Sequence, residues 1–287
     1  MKREDLLPFS FGGNKARKAE KFKKEIIDQR ADVVITYGSS ESNHCRIIAN
    51  MCKSLNISCH IVSPEEDYEE TNNSDFIQFF GAKITKAPLS DINNTIDSIT
   101  KRYQKEGKKT YFIPGGGHGN LGTEAYEEAY EEIKEYEKEN NLFFDYIFFA
   151  SGTGTTQAGL ICGQIKNNDT NRKIIGISIA RKSERGKKII KQSIEDYLKD
   201  DKDYNDLIIF DDNYINDGYN KYDNKTIEAI QKVLSNDGVA LNTTYTGKAY
   251  AGMLDYITKH NINDKKVLFI NTGGLPLFFD NKKEIIK

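Results

Sequence analysis

The sequence predicts an α/β protein in which mainly parallel sheets are covered by helices. Three observations support this prediction. Short apolar runs, typical of strands buried on both faces, recur along the chain. Amphipathic stretches such as 15–29 and 121–139 separate them. Strand and helix signals alternate almost throughout, without an internal repeat or a Pro-rich linker. A second domain is therefore expected to be an insertion that shares strands and crossovers with the first.

Seven apolar runs are predicted as strands, and each ends at a turn or a polar loop. In chain order they are 32–36, 58–62, 110–113, 145–150, 173–179, 207–210 and 266–270. The apolar sides of the two clearest helices are formed by Ala19, Phe22, Ile26 and Ile27, and by Ala125, Ala129, Ile133 and Tyr136. The acidic residues opposite the second set predict a solvated helix surface.

Composition excludes several classes of protein. The 287 residues have 41 Lys+Arg and 43 Asp+Glu, a net charge of -2, so nothing indicates nucleic-acid binding. No long uncharged apolar run predicts a membrane helix, and the patch at 6–11 is too broken for a signal peptide. Four cysteines without a CxxC pair are expected to be reduced thiols of a cytoplasmic protein, and the histidines lack metal-ligand spacing.

In such folds ligands bind on the loops at the carboxyl ends of strands, and five segments are informative. The first is Gly12-Gly13-Asn14-Lys15, which leads into a helix. The positive helix end and the neighbouring Arg17 and Lys18 are expected to disfavour the charged form of Lys15. A lysine with a lowered pKa is a Schiff-base nucleophile. The alternative is a plain glycine turn before a basic helix.

The second segment follows the first predicted strand and contains Ser42, Asn43 and His44. It presents a hydroxyl, an amide and an imidazole at the start of a helix, where a ligand could be held. Serine and asparagine also cap helix N-termini, so helix capping is the alternative interpretation.

The third segment follows the strand at 145–150. Its residues combine backbone N–H groups with hydroxyls and are Ser151, Gly152, Thr153, Gly154, Thr155 and Thr156. This composition predicts an anion site suited to a phosphate monoester. A Walker A loop is excluded because no Gly-Lys-Ser/Thr follows. A dinucleotide site is disfavoured because Gln157 stands at the third glycine position and the next strand ends without an acidic residue.

The remaining two segments are Tyr245-Thr246-Gly247-Lys248 and Asn271-Thr272-Gly273-Gly274. Each alone is an ordinary turn at a helix start. Lys248 heads a helix, and its side chain is expected to be structural and to reach solvent.

In chain order, the motifs KRED, GGNKxRK, SNH, PGGG, SGTGTTQAG, GY, YTGKA and TGG resemble one family. It is the ACC deaminase/D-cysteine desulfhydrase family (ACC is 1-aminocyclopropane-1-carboxylate) of fold-type-II, tryptophan-synthase-β-like enzymes, which depend on pyridoxal 5'-phosphate (PLP). The resemblance extends from Lys2 to Gly274. It implies two three-layer α/β domains, a smaller one at 35–135 and a larger PLP-binding one at 1–34 and 136–287. It also implies a homodimer, with the cofactor in the interdomain cleft.

The resemblance implies that Lys15 binds PLP covalently and then shuttles protons. The 151–156 loop would bind the phosphate, and Asn43 would contact the ring hydroxyl. Thr246 would face the pyridine nitrogen, where ACC deaminases usually carry glutamate. A hydroxyl cannot keep that nitrogen protonated as a carboxylate does, so the ring is a weaker electron sink. This favours α,β-elimination with a good leaving group, such as D-cysteine to pyruvate, ammonia and sulfide.

For the substrate, the resemblance implies that Ser42, with Asn43 and His44, meets the carboxylate or acts on the reacting carbon. Tyr219 and Tyr245 would flank the substrate and take part in catalysis. The partner is therefore expected to be a small amino acid, with no nucleic acid and no membrane.

Departures from the family pattern leave the exact reaction open. Asn271, Asn220 and Glu41 stand where the family usually has histidine, glycine and glutamine. They could indicate a larger β-substituted amino acid, or β-replacement in place of elimination. ACC deamination in the same pocket and a catalytically silent PLP-binding protein are two further hypotheses. Family members usually have a further stretch before KRED, so an edge strand and a dimer contact are expected to be missing or supplied differently.

Overall fold

The computed structural model describes residues 1–66, 69–200 and 202–286. Within them nine strands form two sheets, and every pair of neighbouring strands is parallel. The strands are β1 (Lys2–Arg3), β2 (Val33–Tyr37), β3 (Ser58–Pro64), β4 (Lys83–Ala87), β5 (Thr110–Ile113), β6 (Tyr146–Ser151), β7 (Lys173–Ser178), β8 (Ile209–Asp211) and β9 (Val267–Asn271). The smaller sheet has the order β4-β3-β2-β5, and the larger has the order β1-β9-β6-β7-β8.

The same described residues contain eleven α-helices. They are α1 (Asn14–Asp28), α2 (Asn43–Ser54), α3 (Asn72–Phe79), α4 (Ile92–Lys105), α5 (Asn120–Glu139), α6 (Thr155–Lys166), α7 (Ser183–Leu198), α8 (Asn224–Asp237), α9 (Thr246–Lys259), α10 (Leu275–Asp280) and α11 (Lys282–Ile285). None of these helices combines the length and the apolar character needed to cross a membrane.

Alternate residues of β6 show that helices cover both faces of the larger sheet. Ile147 and Phe149 pack into a core with α5, α6 and α7. Phe148 and Ala150 pack into a second core, on the opposite face, with α8 and α9. The smaller sheet is covered in the same way, by α1, α2 and α3 on one face and by α4 on the other. The predicted fold class, parallel sheets between helices, is confirmed.

The seven predicted strands agree with the structure to within two residues at each end. Two edge strands, β1 and β4, were not predicted because both are rich in charged residues and neither forms an apolar run. Ile27 and Tyr136 were predicted on the apolar sides of their helices, and this is wrong for both. They are about half exposed, at 52% and 51%, because each lies just outside the buried stripe.

Candidate active site

A cavity of about 400 Å³ lies where the carboxyl ends of strands from both sheets meet. All five of the loops singled out in the sequence contribute to its wall. The predicted site residues that line it are Lys15, Ser42, Asn43, His44, Gly152, Thr153, Gly154, Thr156, Tyr219 and Tyr245. Within the described part of the chain, three more of the predicted residues are buried but do not line the cavity: Ser151, Thr155 and Thr246.

Lys15 is the second residue of α1 and faces the cavity. The two glycines before it have positive φ angles, and a Cβ atom on Gly13 would lie 2.7 Å from the carbonyl oxygen of Thr272. Only glycine therefore lets the chain pass this close to the loop after β9. Burial and, to a smaller extent, the charge of Arg181 lower the pKa of Lys15 to about 8.

The cause of this low pKa differs in part from the sequence-based expectation. Arg17 was expected to repel the charge of Lys15, but its guanidinium pairs with Glu4 at 2.7 Å and with Glu132 at 2.7 Å. Its charge is thus largely compensated by carboxylates. The repelling charge comes from Arg181, which the sequence places far away, after β7.

The loop from Ser151 to Thr156 joins β6 to α6, and its backbone turns at Gly154, where φ is +87°. The N-terminus of α6 therefore points its free N–H groups at the cavity, where an anion is stabilised. Two neighbours hold the first turn. Asn14 donates from Nδ2 to Thr156 Oγ1 at 3.2 Å, and Thr155 Oγ1 is 2.8 Å from the Nδ1 atom of His118.

Lys18 is a candidate site residue that was not predicted as one. Its side chain is fully buried, and its Nζ atom has no hydrogen-bond partner among the described residues. It lies beside Gly117, and burial together with the charges of Lys18 and Arg181 lowers the pKa of His118, the residue that contacts Thr155. Burial and the charge of Lys15 also hold the pKa of Lys18 well below its usual range, so the charged form of Lys18 is disfavoured. Lys18 does not line the cavity within the described part of the chain, but an anion bound near its amine would stabilise the ammonium form. The sequence signal is its position three residues after Lys15, on the same helix face.

Asn43 is held in one orientation by two donors. Its Oδ1 atom accepts from Asn73 Nδ2 at 3.0 Å and from Arg46 Nη2 at 3.4 Å. The Nδ2 group is therefore the donor that remains for a ligand. Arg46 is itself completely buried and also donates to Asn73 Oδ1 at 2.7 Å and Ser10 Oγ at 2.8 Å. Arg46 was not predicted as a site residue, because Asn73 and Ser10, which hold its guanidinium most closely, are distant along the chain.

Ser42 and His44 serve the local structure and also face the cavity. Ser42 caps α2, since its Oγ accepts from the backbone N–H of Cys45 at 3.2 Å. The Thr36 hydroxyl donates to the carbonyl of Ile113 at 2.7 Å and lies 2.8 Å from His44 Nε2. A hydroxyl has a single proton, so His44 Nε2 must be the donor. Burial, with the charges of Lys15 and Lys18, lowers the pKa of His44 well below its usual range and keeps it neutral.

Tyr219 and Tyr245 meet at the cavity wall with their hydroxyl groups hydrogen-bonded to each other. Burial raises the pKa of Tyr219 to about 12 and that of Tyr245 well above its usual value. Next to Tyr219, Asn220 donates to Glu41 Oε1 and accepts from Thr244 Oγ1 at 2.8 Å. Two of the family departures therefore bond to each other across the site.

Glu41 carries one carboxyl oxygen without a partner. Its Oε2 atom is buried and has no hydrogen bond within the described part of the chain. Burial raises the pKa of Glu41 to about 7, and the charges of Glu69 and Asp280 act in the same direction. The third family departure, Asn271, is also buried. Its Oδ1 accepts from the N–H of Gly273 at 3.1 Å, and its Nδ2 has no partner among the described residues.

Thr246 begins α9, and its hydroxyl oxygen accepts two hydrogen bonds from Asn242, from the backbone N and from Nδ2, each at 3.0 Å. The Asn242 amide cannot be reversed without loss, because its Oδ1 accepts from Tyr245 N and its Nδ2 also donates to Gly273 O. With both lone pairs of Thr246 Oγ1 occupied, its own proton is the group available to a ligand.

Lys248 does not reach solvent, so that expectation is wrong. Its side chain is 1% exposed and points inward to backbone carbonyl groups. The helix start is packed too closely against the larger sheet and the loop before α8 for the side chain to leave.

Comparisons with known proteins identify the family of the chain. A family model described as pyridoxal-phosphate dependent enzyme matches residues 1–273, and the chain belongs to that family. Within it, a D-cysteine desulfhydrase from Serratia proteamaculans is 30% identical over 97% of this chain and 87% of the relative. An Arabidopsis thaliana protein, named as a bifunctional D-cysteine desulfhydrase/1-aminocyclopropane-1-carboxylate deaminase, is 34% identical over 98% of this chain and 73% of the relative. The resemblance seen in the motifs is confirmed.

Solved structures support the fold independently of these names. The crystal structure of an ACC deaminase homologue superposes with a TM-score of 0.87 at 29% identity, covering 99% of this chain and 86% of that chain. A fungal L-serine ammonia-lyase from Rhizomucor miehei, at 15% identity and a TM-score of 0.70, shares the fold, covering 98% and 90% of the two chains. The fold is therefore that of fold-type-II PLP enzymes.

The residues present fit the family's cofactor. Lys15 supplies a cavity-lining amine with a pKa of about 8, and the N-terminus of α6 faces the same cavity. An aldehyde carrying a phosphate monoester would engage both features. Asn43 Nδ2 is a donor that remains at the cavity wall, whereas Thr246 is buried and does not line the cavity among the described residues.

Proposed function

We propose that this protein catalyses α,β-elimination from D-cysteine, giving pyruvate, ammonia and sulfide. The observation that carries the proposal is the cavity that Lys15, with a pKa of about 8, shares with the hydrogen-bonded hydroxyls of Tyr219 and Tyr245. Thr246 is buried and does not line the cavity among the described residues, and Asn242 occupies both of its lone pairs. A hydroxyl at this position would donate its proton to a ring nitrogen without protonating it, which suits elimination of a good leaving group. The relatives named as D-cysteine desulfhydrases support the substrate.

Bound PLP supplies an aldehyde that takes up the substrate amine and a ring that accepts the electrons of the broken Cα–H bond. Lys15 holds the cofactor and, as a neutral amine once substrate is bound, accepts the α-proton on Nζ. Ser42 and Asn43 donate to the carboxylate, and neutral His44 leaves its Nδ1 as an acceptor beside them.

The Cβ–S bond then breaks, and its electron pair leaves on sulfur. The hydrogen-bonded tyrosines Tyr219 and Tyr245 retain their protons near pH 7 because burial raises both pKa values. One of them gives a proton to the departing thiolate, and the other stabilises the remaining charge. Water converts the released enamine into pyruvate and ammonia, so the balance is D-cysteine plus water to pyruvate, ammonia and hydrogen sulfide.

ACC deamination is the second candidate, since the Arabidopsis relative is named for both activities. The test is to offer D-cysteine, L-cysteine and ACC to the PLP-loaded protein and to measure 2-oxo acid and sulfide. We expect pyruvate with sulfide from D-cysteine alone, and none from Lys15→Ala. 2-Oxobutyrate from ACC would overturn the argument from Thr246. No product from all three would indicate another β-substituted amino acid and would assign specificity to Glu41, Asn220 and Asn271.

We also propose the division into a smaller domain at 35–135 and a larger one at 1–34 and 136–287. Support comes from the division of the strands, since β2–β5 form the smaller sheet and β1 with β6–β9 form the larger one. The proposed boundaries do not follow the sheets throughout, because β2 begins at Val33 and α5 packs on the larger sheet. A homodimer is proposed from the family resemblance. A cytoplasmic location is proposed because Cys45, Cys52, Cys59 and Cys162 are buried free thiols.

A further inference from the structure

Lys248, the third residue of α9, has an unusual set of partners. Its Nζ atom donates to three backbone carbonyl oxygens, those of Ile179 at 3.1 Å, Ile215 at 3.3 Å and Gly218 at 2.9 Å. An ammonium group has three protons, so its donors are fully used. The side chain is 1% exposed, and water cannot contribute much to its solvation.

A cage of backbone carbonyl oxygens is also how proteins replace the hydration shell of a potassium ion. The negative ends of the three carbonyl dipoles contact the ammonium group of Lys248 and stabilise its charge. Asp223 and Glu41 raise its pKa by their charges, but burial outweighs them and lowers the pKa to about 8. The group thus remains mainly an ammonium at pH 7 despite its burial.

The three carbonyls belong to two parts of the active site. Ile179 follows β7 and lines the cavity beneath Gly152. Ile215 and Gly218 lie in the connection between β8 and α8, at 212–223, which carries Tyr219. This connection contains no helix or strand, so it depends on contacts from outside for its position.

We propose that Lys248 is a positioning residue that acts as a built-in monovalent cation. Its ammonium group fastens the 212–223 connection to the end of β7 and thereby holds Tyr219 against Tyr245. The expected effect on turnover rests on the proposed function, whereas binding of a cation by the three carbonyl oxygens does not depend on which reaction is catalysed. Removing the side chain leaves a carbonyl-lined site that a potassium or ammonium ion can enter.

The experiment compares Lys248→Ala, which opens the site, with Lys248→Met, which fills it with an apolar chain. Lys232→Ala is the matched control, because this lysine lies at an exposed position of the neighbouring helix α8. Each PLP-loaded protein is assayed with D-cysteine in tetramethylammonium chloride, whose cation is too large for the cage, and in KCl or NH₄Cl at equal concentration.

In tetramethylammonium chloride we expect kcat/KM of Lys248→Ala to fall by about 10²-fold, the loss expected when a group that touches substrate is misplaced by an ångström. KCl or NH₄Cl should restore it at least tenfold. Lys248→Met should show the same loss without recovery, and the activities of native protein and Lys232→Ala should not respond to the choice of cation. The double variant Lys248→Ala/Tyr219→Phe should have a kcat/KM only slightly lower than that of Lys248→Ala, because both changes disable the same group.

The cage is also tested without turnover, by the thermal midpoint of each protein without PLP in the same salts. The thermal midpoint of Lys248→Ala should be higher in KCl than in tetramethylammonium chloride, and this rise should exceed the rise for Lys248→Met. That result supports the cage even if D-cysteine is not the substrate. If Lys248→Ala has the same activity and the same thermal midpoint as native protein, the proposal is overturned. So would a loss that no cation reverses. Failure of both variants to fold in every salt would overturn it too, since Lys248 would then support the whole domain and not the 212–223 connection.

Discussion

The hydroxyl groups of Tyr219 and Tyr245 are hydrogen-bonded to each other, and their rings meet edge to face with centroids 5.9 Å apart. One tyrosine comes from the loop before α8 and the other from the residue before α9. Two phenols that share a proton can give it up with less cost than either alone, because the second phenol donates to the oxygen that becomes charged.

Tyr219→Phe and Tyr245→Phe are each expected to lower kcat for D-cysteine by about 10²-fold, the usual contribution of a general acid. The double variant should be little worse than either single variant, because the pair acts as a unit. The loss should shrink strongly with β-chloro-D-alanine, whose chloride leaves without a proton. The measurement is pyruvate release. If kcat falls equally for D-cysteine and β-chloro-D-alanine, the tyrosines do not protonate the leaving group.

Lys15→Ala is expected to abolish the yellow absorbance of the PLP-loaded protein while leaving its circular dichroism unchanged. The reason is that Lys15 is the cavity-lining amine with a lowered pKa. Borohydride reduction and peptide mapping of the native protein should place the cofactor on Lys15. A reduced linkage on Lys248, whose amine also has a pKa of about 8, would contradict the site assignment.

Lys18→Met is expected to have opposite effects on stability and on cofactor binding. The protein without PLP should become more stable by about 1–3 kcal/mol, because a buried amine without a hydrogen-bond partner is replaced by an apolar side chain. The Kd for PLP should rise by about 10- to 100-fold, the value of a charge-assisted hydrogen bond to phosphate. Lys24→Met, at an exposed position of α1, is the control for urea unfolding and PLP titration. A Kd equal to the native value would exclude Lys18 from the phosphate site.

Glu41→Gln tests the unpartnered carboxyl by the pH dependence of stability. The pKa of Glu41 is raised in the folded protein from 4.5 to about 7. The contribution of Glu41 to the free energy of unfolding is therefore fully present below pH 4.5 and is lost as the pH rises through 7. At pH 8 the folded protein must bury the charge, and Glu41→Gln should be more stable by about 1–3 kcal/mol. Near pH 4.5 the two proteins should have equal free energies of unfolding. A difference that does not change between these pH values would show that Glu41 is not protonated on folding.

Thr246→Glu is expected to slow elimination from D-cysteine by about tenfold or more, equivalent to about 1.4 kcal/mol. A carboxylate here would keep the ring nitrogen of bound PLP protonated, and the ring would then be a stronger electron sink that disfavours departure of the leaving group. The visible spectrum with substrate should therefore change as the rate falls. Thr246→Ser, which keeps the hydroxyl that Asn242 donates to, should stay near the native rate. An unchanged spectrum and rate in Thr246→Glu would separate this residue from the chemistry.

The sequence was sufficient to predict what depends on local pattern. The run Ile147–Phe149 is continuously apolar because both faces of β6 are buried, and this makes such strands easy to find. The loops after these strands were also found, because the carboxyl ends of parallel strands must meet. β4 was missed because an edge strand alternates lysine with apolar residues.

Buried cations were the main group that the sequence concealed. Lys18, Arg46 and Lys248 all have 0–1% exposure, although lysine and arginine are usually solvated. Lys18 has no hydrogen-bond partner among the described residues, whereas Arg46 donates to Asn73 and Ser10 and Lys248 donates to the carbonyls of 179, 215 and 218. These partners of Arg46 and Lys248 are distant in sequence, so no local pattern reveals the burial.

The contact between Gly13 and the loop after β9 has a consequence for biosynthesis. Asn14 donates its backbone N–H to the carbonyl of Thr272 at 3.0 Å, so the segment before Lys15 is seated on residues that the ribosome adds much later. We expect a growing chain to expose its reactive lysine early but to lack a place for the cofactor until synthesis has passed Thr272. Chains truncated before Thr272 should then be left without PLP, and cofactor content would report whether the loop after β9 is present.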